Sequence, residues 1–184
     1  MEASTGSLAD EQVMTFVQRG KLNYMELLFQ RYKKRLYNYF LKCTMDADES
    51  HDLTQITFVR VLKYRSSYNA DRTFSTWLFQ IARNLVKDHF RKMKVHQDQF
   101  SLVDDLPDHV VDDMDQQQVE REDRLNKALA KLEPEKRELL VMSKFNGMKY
   151  EEIAKIREVS VSAIKVQVHR TIAQLRTIYF NEAE

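Results

Sequence analysis

The chain has 184 residues, 43% hydrophobic and 31% charged, with a formal net charge of +1, a balance typical of a soluble globular protein rather than a membrane or disordered one. It has only three glycines and two prolines, so β-hairpins and parallel-sheet crossovers lack their usual turn residues, and we predict an all-α fold. No glycine lies between Gly20 and Gly147 and no H-E-x-x-H spacing occurs, which excludes Gly-rich nucleotide loops, the G-x-S-x-G elbow and a common zinc site, and we expect no cofactor, metal or catalytic centre.

Two helices are predicted at the start of the chain. Ser7 and Asp10 fit a capping box and Gly20 fits a helix C-cap, so the first helix is expected over residues 8–19. The second is expected over residues 23–44. Its apolar residues at four-residue spacing predict a buried stripe: Leu28, Tyr32, Leu36 and Phe40.

The third predicted helix, residues 48–64, is apolar on several sides. Its large apolar residues are spread around most of the helix: Leu53, Ile56, Phe58, Val59, Val61 and Leu62. One core face does not need so many, so this helix is either central in its bundle or buries a second side against a partner protein. Asp52 and Gln55 add polar groups that would fix the register of such a contact.

The fourth predicted helix, residues 73–94, has separate apolar and basic faces. The apolar arc consists of Leu78, Ile81, Ala82 and Leu85. The polar and basic arc consists of Gln80, Arg83, Asn84, Lys87, Arg91 and Lys94. Trp77 and Phe90 border the basic arc, where aromatic rings can stack on unpaired bases, a contact worth ~1–3 kcal/mol per base. A core position is the alternative for Trp77.

An acidic segment follows, and the near-zero net charge of the chain conceals this uneven charge distribution. Residues 96–119 carry seven aspartates and no lysine or arginine, so the remainder of the chain has a charge of about +8. We predict an extended linker over residues 96–118 between two helical domains, residues 8–95 and 119–180. The linker is either a solubilising spacer or an imitation of nucleic-acid charge inside a basic channel.

The second domain is predicted to contain a helix-turn-helix. Leu125, Leu129 and Leu132 form an apolar stripe, and Pro134 fits the first position of a helix that ends near Gly147. Beyond it, a short helix to residue 156, a break over residues 157–160 and a longer helix over residues 161–179 have the required spacing.

The longer helix of this motif is amphipathic. Ser160 is expected to cap it, which is worth ~1 kcal/mol. Its inward residues are predicted to pack on the preceding helix: Ile164, Val168, Ile172 and Leu175. Its outward residues are base-reading and phosphate-reading types: Ser162, Ala163, Lys165, Val166, Gln167, His169 and Arg170. An exposed bundle helix is the alternative, but small outward residues near the N-terminus favour close approach to a major groove.

The N-terminal half carries a recognisable pattern: Asp48, DLTQ at 52–55, Phe58, FSTWL at 74–78, IARNL at 81–85 and Asp88 through Arg91. It resembles region 2 of the small extracytoplasmic-function (ECF) sigma factors of bacterial RNA polymerase. The resemblance implies docking on the β′ clamp helices through Asp52, Gln55, Phe58, Val59 and Leu62. It also implies capture of a flipped base by the loop over residues 66–73, and of the non-template minus-ten strand by Tyr68, Asn69, Trp77, Arg83, Asn84, Lys87 and Arg91.

Residues 152–176 resemble region 4 of the same family without a gap. That region reads the minus-thirty-five element as duplex and contacts the polymerase β flap, which implies DNA contacts from Ser160 and from the outward residues of the long helix. Arg157 stands where leucine is usual, Glu158 where glycine is usual, and Gln167 where a basic residue is common. A non-glycine residue at positive φ costs ~1 kcal/mol, so we expect the turn to be reshaped and the two helices to cross differently.

Both motifs, in order around an acidic spacer, predict a dissociable polymerase subunit in the cytoplasm. The single cysteine, Cys43, fits a buried helix position in a reducing compartment, and MEASTGSLADEQ lacks the features of a secretion signal. Expected partners are core RNA polymerase and promoter DNA, with an anti-sigma factor as a further candidate and no membrane.

Other classes of function stay open. A DNA-binding regulator that never joins polymerase would use only the helix-turn-helix and would leave the apolar third helix unexplained. A helical adaptor or anti-sigma-like protein would show no DNA binding. An enzyme would need a scattered constellation of residues that sequence spacing does not reveal.

Overall fold

The computed structural model describes residues 8–97 and 116–181. Every regular element in these two ranges is helical, which confirms the all-α prediction. The α-helices are α1 Asp10–Gln18, α2 Met25–Thr44, α3 Ala47–Tyr64, α4 Phe74–Gln97, α5 Gln116–Ala130, α6 Pro134–Leu140, α7 Tyr150–Arg157 and α8 Val161–Asn181. Short 3-10 turns occupy Leu22–Tyr24 and Arg65–Ser67, and a π-helical turn, Val141–Phe145, continues α6. The predicted linker falls mostly outside the described residues, although α4 and α5 extend into its two ends.

Glycine and proline mark helix ends as the sequence predicts. Gly20 follows α1 with a φ of 89°. The N–H groups of Gly20 and Lys21 bond to the carbonyls of Val17 and Phe16, each at 3.0 Å, so the last turn of α1 is capped. Pro134 is the first residue of α6, where its missing N–H costs no helical hydrogen bond.

The start of α1 differs from the predicted capping box. Ala9 is the N-cap, and its N–H donates to the Gln12 side chain at 3.1 Å. An alanine side chain accepts no hydrogen bond, so only this half of a capping box exists. Ser7 lies outside the described residues.

Helix α2 lies at the centre of the N-terminal half. Its predicted stripe of Leu28, Tyr32, Leu36 and Phe40 is buried, as expected. Aromatic edges fill the space between α2 and α4, with the Tyr39 and Phe79 rings 5.4 Å apart at 90° and the Tyr32 and Phe74 rings 5.3 Å apart at 75°. This packing fixes the position of α4, which carries the predicted strand-binding residues.

The C-terminal half packs directly on the N-terminal half. Helix α2 contacts α6 and the π-helical turn, α4 contacts α7, and the buried apolar residues of both halves form one cluster. Arg137 joins them through its guanidinium, which donates to the Cys43 carbonyl of α2 at 2.8 Å. It also donates to three carbonyls where α5 ends: Leu129 at 2.9 Å, Ala130 at 2.6 Å and Leu132 at 3.2 Å. The two halves are thus held by a buried polar group as well as by apolar packing.

The single cysteine lies in the core, as the sequence predicts. Cys43 is 1% exposed within α2, and burial raises the pKa of its thiol well above the usual value. In the described ranges, none of the helices is long and apolar enough to cross a membrane, and no three His, Cys, Asp or Glu side chains are grouped as metal ligands.

Candidate nucleic-acid interface

The loop between α3 and α4 is tied to α1. The Gln18 side chain donates to the carbonyls of Ser66 at 3.3 Å and Tyr68 at 3.0 Å. The Glu11 carboxylate accepts the N–H of Phe74, at the start of α4, at 2.9 Å. The contact from Gln18 to Tyr68 spans 50 positions in the chain and that from Phe74 to Glu11 spans 63. No local sequence pattern therefore revealed that Gln18 and Glu11 support this loop.

Tyr68 and Trp77 form an aromatic pair at the base of the loop. Tyr68 is buried, its ring lies 5.1 Å from that of Trp77, and its hydroxyl donates to the Arg72 carbonyl at 2.8 Å. Burial raises the pKa of Tyr68 to about 12, so the phenol stays protonated as a donor. Trp77 is half-buried: it packs on the core and also lines a cleft, and its stacking on bases stays a prediction. Asn69 is exposed, and its side chain accepts the Asp71 N–H at 2.9 Å.

The cleft beside Trp77 lies between the two halves of the chain. Its volume is about 360 Å³. The α4 side contributes Arg72, Thr73, Thr76, Trp77 and Gln80, and the helix-turn-helix contributes Lys155 and Glu158. The C-terminal half therefore borders the surface on which strand binding is predicted.

The basic face of α4 is divided in the structure. Asn84, Lys87 and Arg91 are exposed to solvent, and Arg91 pairs with Asp88 at 2.8 Å. Arg83 is different, because its side chain is 12% exposed and its Nε lies 3.5 Å from Oε2 of Glu138. The C-terminal half thus covers one of the predicted strand-binding cations and leaves the others open.

Glu138 is the centre of a buried charged cluster. Its side chain is 3% exposed and accepts hydrogen bonds from the Tyr39 hydroxyl at 2.9 Å and from Arg157 at 3.1 Å. Burial raises the pKa of the Glu138 carboxyl, while Arg83, Arg157 and the Tyr39 hydrogen bond act in the opposite direction. Arg83 Nε makes an ion pair without a hydrogen bond, so this buried cluster is incompletely satisfied.

The helix-turn-helix forms as predicted. The turn itself is not reshaped, contrary to expectation. Glu158, between α7 and α8, has φ 58° and ψ 43°, so the turn keeps the left-handed conformation that glycine would adopt and bears the cost of a side chain there. The Ser160 hydroxyl accepts the Ala163 N–H at 3.2 Å, which confirms the predicted cap of α8.

Helix α8 has one buried and one open side. Ile164 and Val168 are buried, together with Ile153 and Ala154 of α7. Ala163 is half-buried near the start of α8. The other predicted duplex contacts are exposed: Ser160, Ser162, Lys165, Val166, Gln167, His169 and Arg170. The structure therefore brings these side chains together on one surface.

Helix α3 has an open apolar side next to polar groups. Val59 is 63% exposed and Ile56 is 41% exposed, and Asp52 and Gln55 are also open to solvent. This arrangement favours the predicted second contact side over a wholly central helix. We name Asp52, Gln55, Ile56 and Val59 the α3 surface.

The structure does not bring Phe58 to the α3 surface. Its side chain is 6% exposed, and its ring lies 4.9 Å from that of Phe29 at 60°. The ring faces inward because it lies on the core side of α3 with Leu53 and Val61. Leu62 is half-buried at the edge of the core. Phe58 therefore supports the α3 surface from below.

Two family models match the chain, Sigma-70 region 2 over residues 28–95 and Sigma-70, region 4 over residues 122–175. The RNA polymerase sigma factor CarQ of Myxococcus xanthus is 30% identical over 159 residues, which cover 86% of this chain and 91% of that protein. The chain belongs to the ECF RNA polymerase sigma factors. The ECF sigma factor SigM of Bacillus subtilis is 29% identical, covering 83% of this sigma factor and 93% of SigM.

Solved structures share the fold of this sigma factor. CnrH in complex with the cytosolic domain of CnrY has a TM-score of 0.70 and 22% identity, covering 93% of this chain and 97% of that one. The sigma factor RpoE in complex with the anti-sigma factor NepR from Bartonella quintana has a TM-score of 0.69 and 22% identity, covering 83% and 94%. At this identity the likeness shows the fold.

Sequence reasoning missed Glu138 and Tyr39. Both are ordinary helix residues in the sequence, and they meet across 99 positions. The signal was indirect: Arg157 occupies a slot that is usually leucine, and a cation in a buried slot needs an acidic partner. Glu138 is that partner.

Proposed function

We propose that this sigma factor directs core RNA polymerase to promoters by reading the minus-thirty-five element as duplex and holding the minus-ten strand once the DNA opens. The observation that carries the proposal is the exposed side of α8, where polar, basic and small side chains follow a capped N-terminus. Lys87 and Arg91, with the neutral amide of Asn84, supply a second basic surface for the single strand. The protein needs no catalytic centre of its own, since the polymerase performs the chemistry.

Transcription in vitro tests this function. Core polymerase with the sigma factor is incubated on a fragmented genomic library, and the RNA 5′ ends are sequenced. We expect new start sites that share two upstream elements. The absence of any new start site would refute the proposal.

Strand capture has a separate test in Lys87→Ala. Lys87 is exposed and forms no ion pair within the described residues, so its loss removes a strand contact without disturbing the packing of the halves. Arg83→Ala is less informative because Arg83 also pairs with Glu138. We expect Lys87→Ala to reduce permanganate-reactive thymines at the minus-ten element while duplex binding persists, and Lys33→Ala on α2 to behave as wild type.

Two further surfaces are proposed to bind proteins. The α3 surface is suited to the β′ clamp helices because it is apolar with polar groups beside it. An apolar groove of about 380 Å³ between α5 and α8, with Leu125, Leu175, Tyr179 and Phe180 among its lining residues, is suited to the β flap. An anti-sigma partner is also proposed, because NepR is an anti-sigma factor bound to a sigma factor of the same fold.

A further inference from the structure

Arg83 belongs to an exposed basic surface but is itself largely buried in this sigma factor. On α4 it belongs to the same basic arc as Lys87 and Arg91, which are open to solvent. Its own guanidinium lies against a carboxylate from α6, in the other half of the chain. A carboxylate and a backbone phosphate are both anionic acceptors that arginine binds with the same donors.

We propose that Glu138 is an intramolecular competitor for the strand-binding face: its carboxylate holds Arg83 in the place of a phosphate and keeps the two halves of the free chain closed. This inference rests on the proposed strand-binding role of α4. Closure must be released before Arg83 can contact DNA.

The charges around Glu138 support competition rather than a purely structural pair. Arg83 and Arg157 flank the carboxylate, at 3.5 and 3.1 Å from the same oxygen. Two cations on one carboxylate leave a net positive charge that attracts a second anion. An approaching phosphate therefore meets a positive environment in which Glu138 is the only acidic group in the charged cluster described above.

The contact between Arg83 and Glu138 is also one that a phosphate can replace. Arg83 Nε is buried without a hydrogen-bond partner among the described residues, so its contact with Glu138 is an ion pair only. A phosphate that accepts a hydrogen bond from the guanidinium can therefore compete for it. Some polar contacts between the halves lie nearer the surface, such as Arg35 to the Asn146 carbonyl at 3.0 Å, while Arg137 and Tyr39 make buried ones. By contrast, Arg157 remains with Glu138 inside the C-terminal half.

Cys43 is a built-in reporter of closure. It is the one cysteine of the chain and is 1% exposed. Arg137 of α6 donates to the Cys43 carbonyl at 2.8 Å, so the C-terminal half lies against it. When the halves separate, the thiol gains access to a small disulfide reagent such as DTNB.

The test compares Glu138→Lys with Glu135→Lys in the full-length protein. Both residues lie on α6 and both changes alter the net charge equally, but Glu135 is exposed. Lysine at 138 meets Arg83 and Arg157 with like charge, so we expect Cys43 to react about tenfold or more faster than in Glu135→Lys. Circular dichroism checks that both variants keep their helices.

A milder variant guards against unfolding. Tyr39→Phe removes only the hydroxyl that donates to Glu138 and leaves every charge in place. A buried carboxylate that loses a donor weakens the closed state, and we expect Cys43 to react roughly fivefold faster. Equal rates in wild type, Tyr39→Phe and both lysine variants would overturn the proposal.

Binding of a short fluorescent single-stranded oligonucleotide of mixed sequence tests the competition. We expect Glu138→Lys to bind about tenfold more tightly than Glu135→Lys at the same salt, because only the former frees Arg83. Faster Cys43 reaction with equal DNA affinity would overturn the competitor role. If no variant bound the oligonucleotide, the strand-binding part of the proposed function would fail, while Cys43 would still report whether Glu138 closes the chain.

Discussion

Arg137 shows how much of this structure depends on a single buried side chain. Its guanidinium donates to four backbone carbonyls, at the ends of α2 and α5 and in the turn that follows. Three of these carbonyls lie in the last turn of a helix, where acceptors lack intrahelical donors, although the Leu129 carbonyl also accepts the Leu132 N–H at 3.1 Å. One arginine therefore caps two helices from opposite halves of the chain.

We expect Arg137→Ala to lower the free energy of unfolding by about 3 kcal/mol, since buried acceptors lose a charged donor. Lys136→Ala is the matched control, because within the described residues the one ion pair of Lys136 is a surface pair with Glu133. Urea denaturation followed by circular dichroism measures both. A loss below about 1 kcal/mol for Arg137→Ala would show that water replaces the guanidinium without cost.

Glu158 carries a cost that glycine would not. At φ 58° its Cβ crowds the backbone. Glu158→Gly removes this strain but increases the entropy of the unfolded chain, so we expect a net gain of about 0.5 kcal/mol in the free energy of unfolding. Glu135→Gly, within the first turn of α6, should instead lose up to about 1 kcal/mol. A loss in both variants would mean that the Glu158 side chain stabilises the turn.

At the scale of the element, a substitution on α3 tests whether its exposed apolar residues bind core polymerase. Val59→Asp places a charge at the most exposed apolar position of α3. We expect binding to core polymerase to weaken tenfold or more, about 1.4 kcal/mol, with the stability of the free protein changed by less than about 0.5 kcal/mol. Leu22→Asp, at an exposed apolar position outside α3, should bind normally. Equal binding of both variants in a co-elution assay would remove the α3 surface from the proposal.

Helix α8 tests duplex recognition. Arg170 is exposed on its open side, so Arg170→Ala should weaken binding of the polymerase complex to duplex promoter DNA. We also expect the slope of log affinity against log salt to fall by about one unit, because one phosphate contact is lost. Lys33→Ala removes the same charge from α2 and should leave the slope unchanged. An unaltered slope in Arg170→Ala would mean that this arginine contacts no phosphate.

At the scale of the whole molecule, the apolar core of the two halves is continuous. Arg137 and Tyr39 form buried hydrogen bonds across the junction. We therefore expect the halves to unfold together, so that fluorescence of the single tryptophan, Trp77, and far-ultraviolet circular dichroism give the same urea midpoint. Glu138→Lys should separate the two transitions. Separate midpoints in the wild type would mean that the halves fold independently.

Much of this organisation was predictable because it is local. The helix-turn-helix needs only a periodic apolar face, a capping serine at 160 and a turn, all within a short stretch of sequence. The apolar stripe of α2 and the cap at Gly20 were predicted for the same reason. The start of α1 was less accurate, because Ala9 is the N-cap and Gln12 accepts its N–H, the role that the sequence assigned to Asp10.

The exposure of individual site residues was less predictable. Phe58 belongs to the family pattern of α3, but which side of a helix that is apolar all round faces the core depends on its neighbours. Here the ring of Phe29 of α2 packs against Phe58 and so places Phe58 on the core side. Arg83 likewise lies on a basic arc, and only the packing of α6 and α7 covers it.

By itself, the sequence determined the helical class, the two motifs and the side chains that α8 presents, since these depend on spacing within one helix or one turn. Only the tertiary structure decided that Glu138 meets Arg83, that Arg137 caps one helix in each half, and that Gln18 and Glu11 hold the α3–α4 loop. Such contacts join residues that are far apart in the chain, and charged side chains acquire partners there only after the apolar faces have set the helix positions.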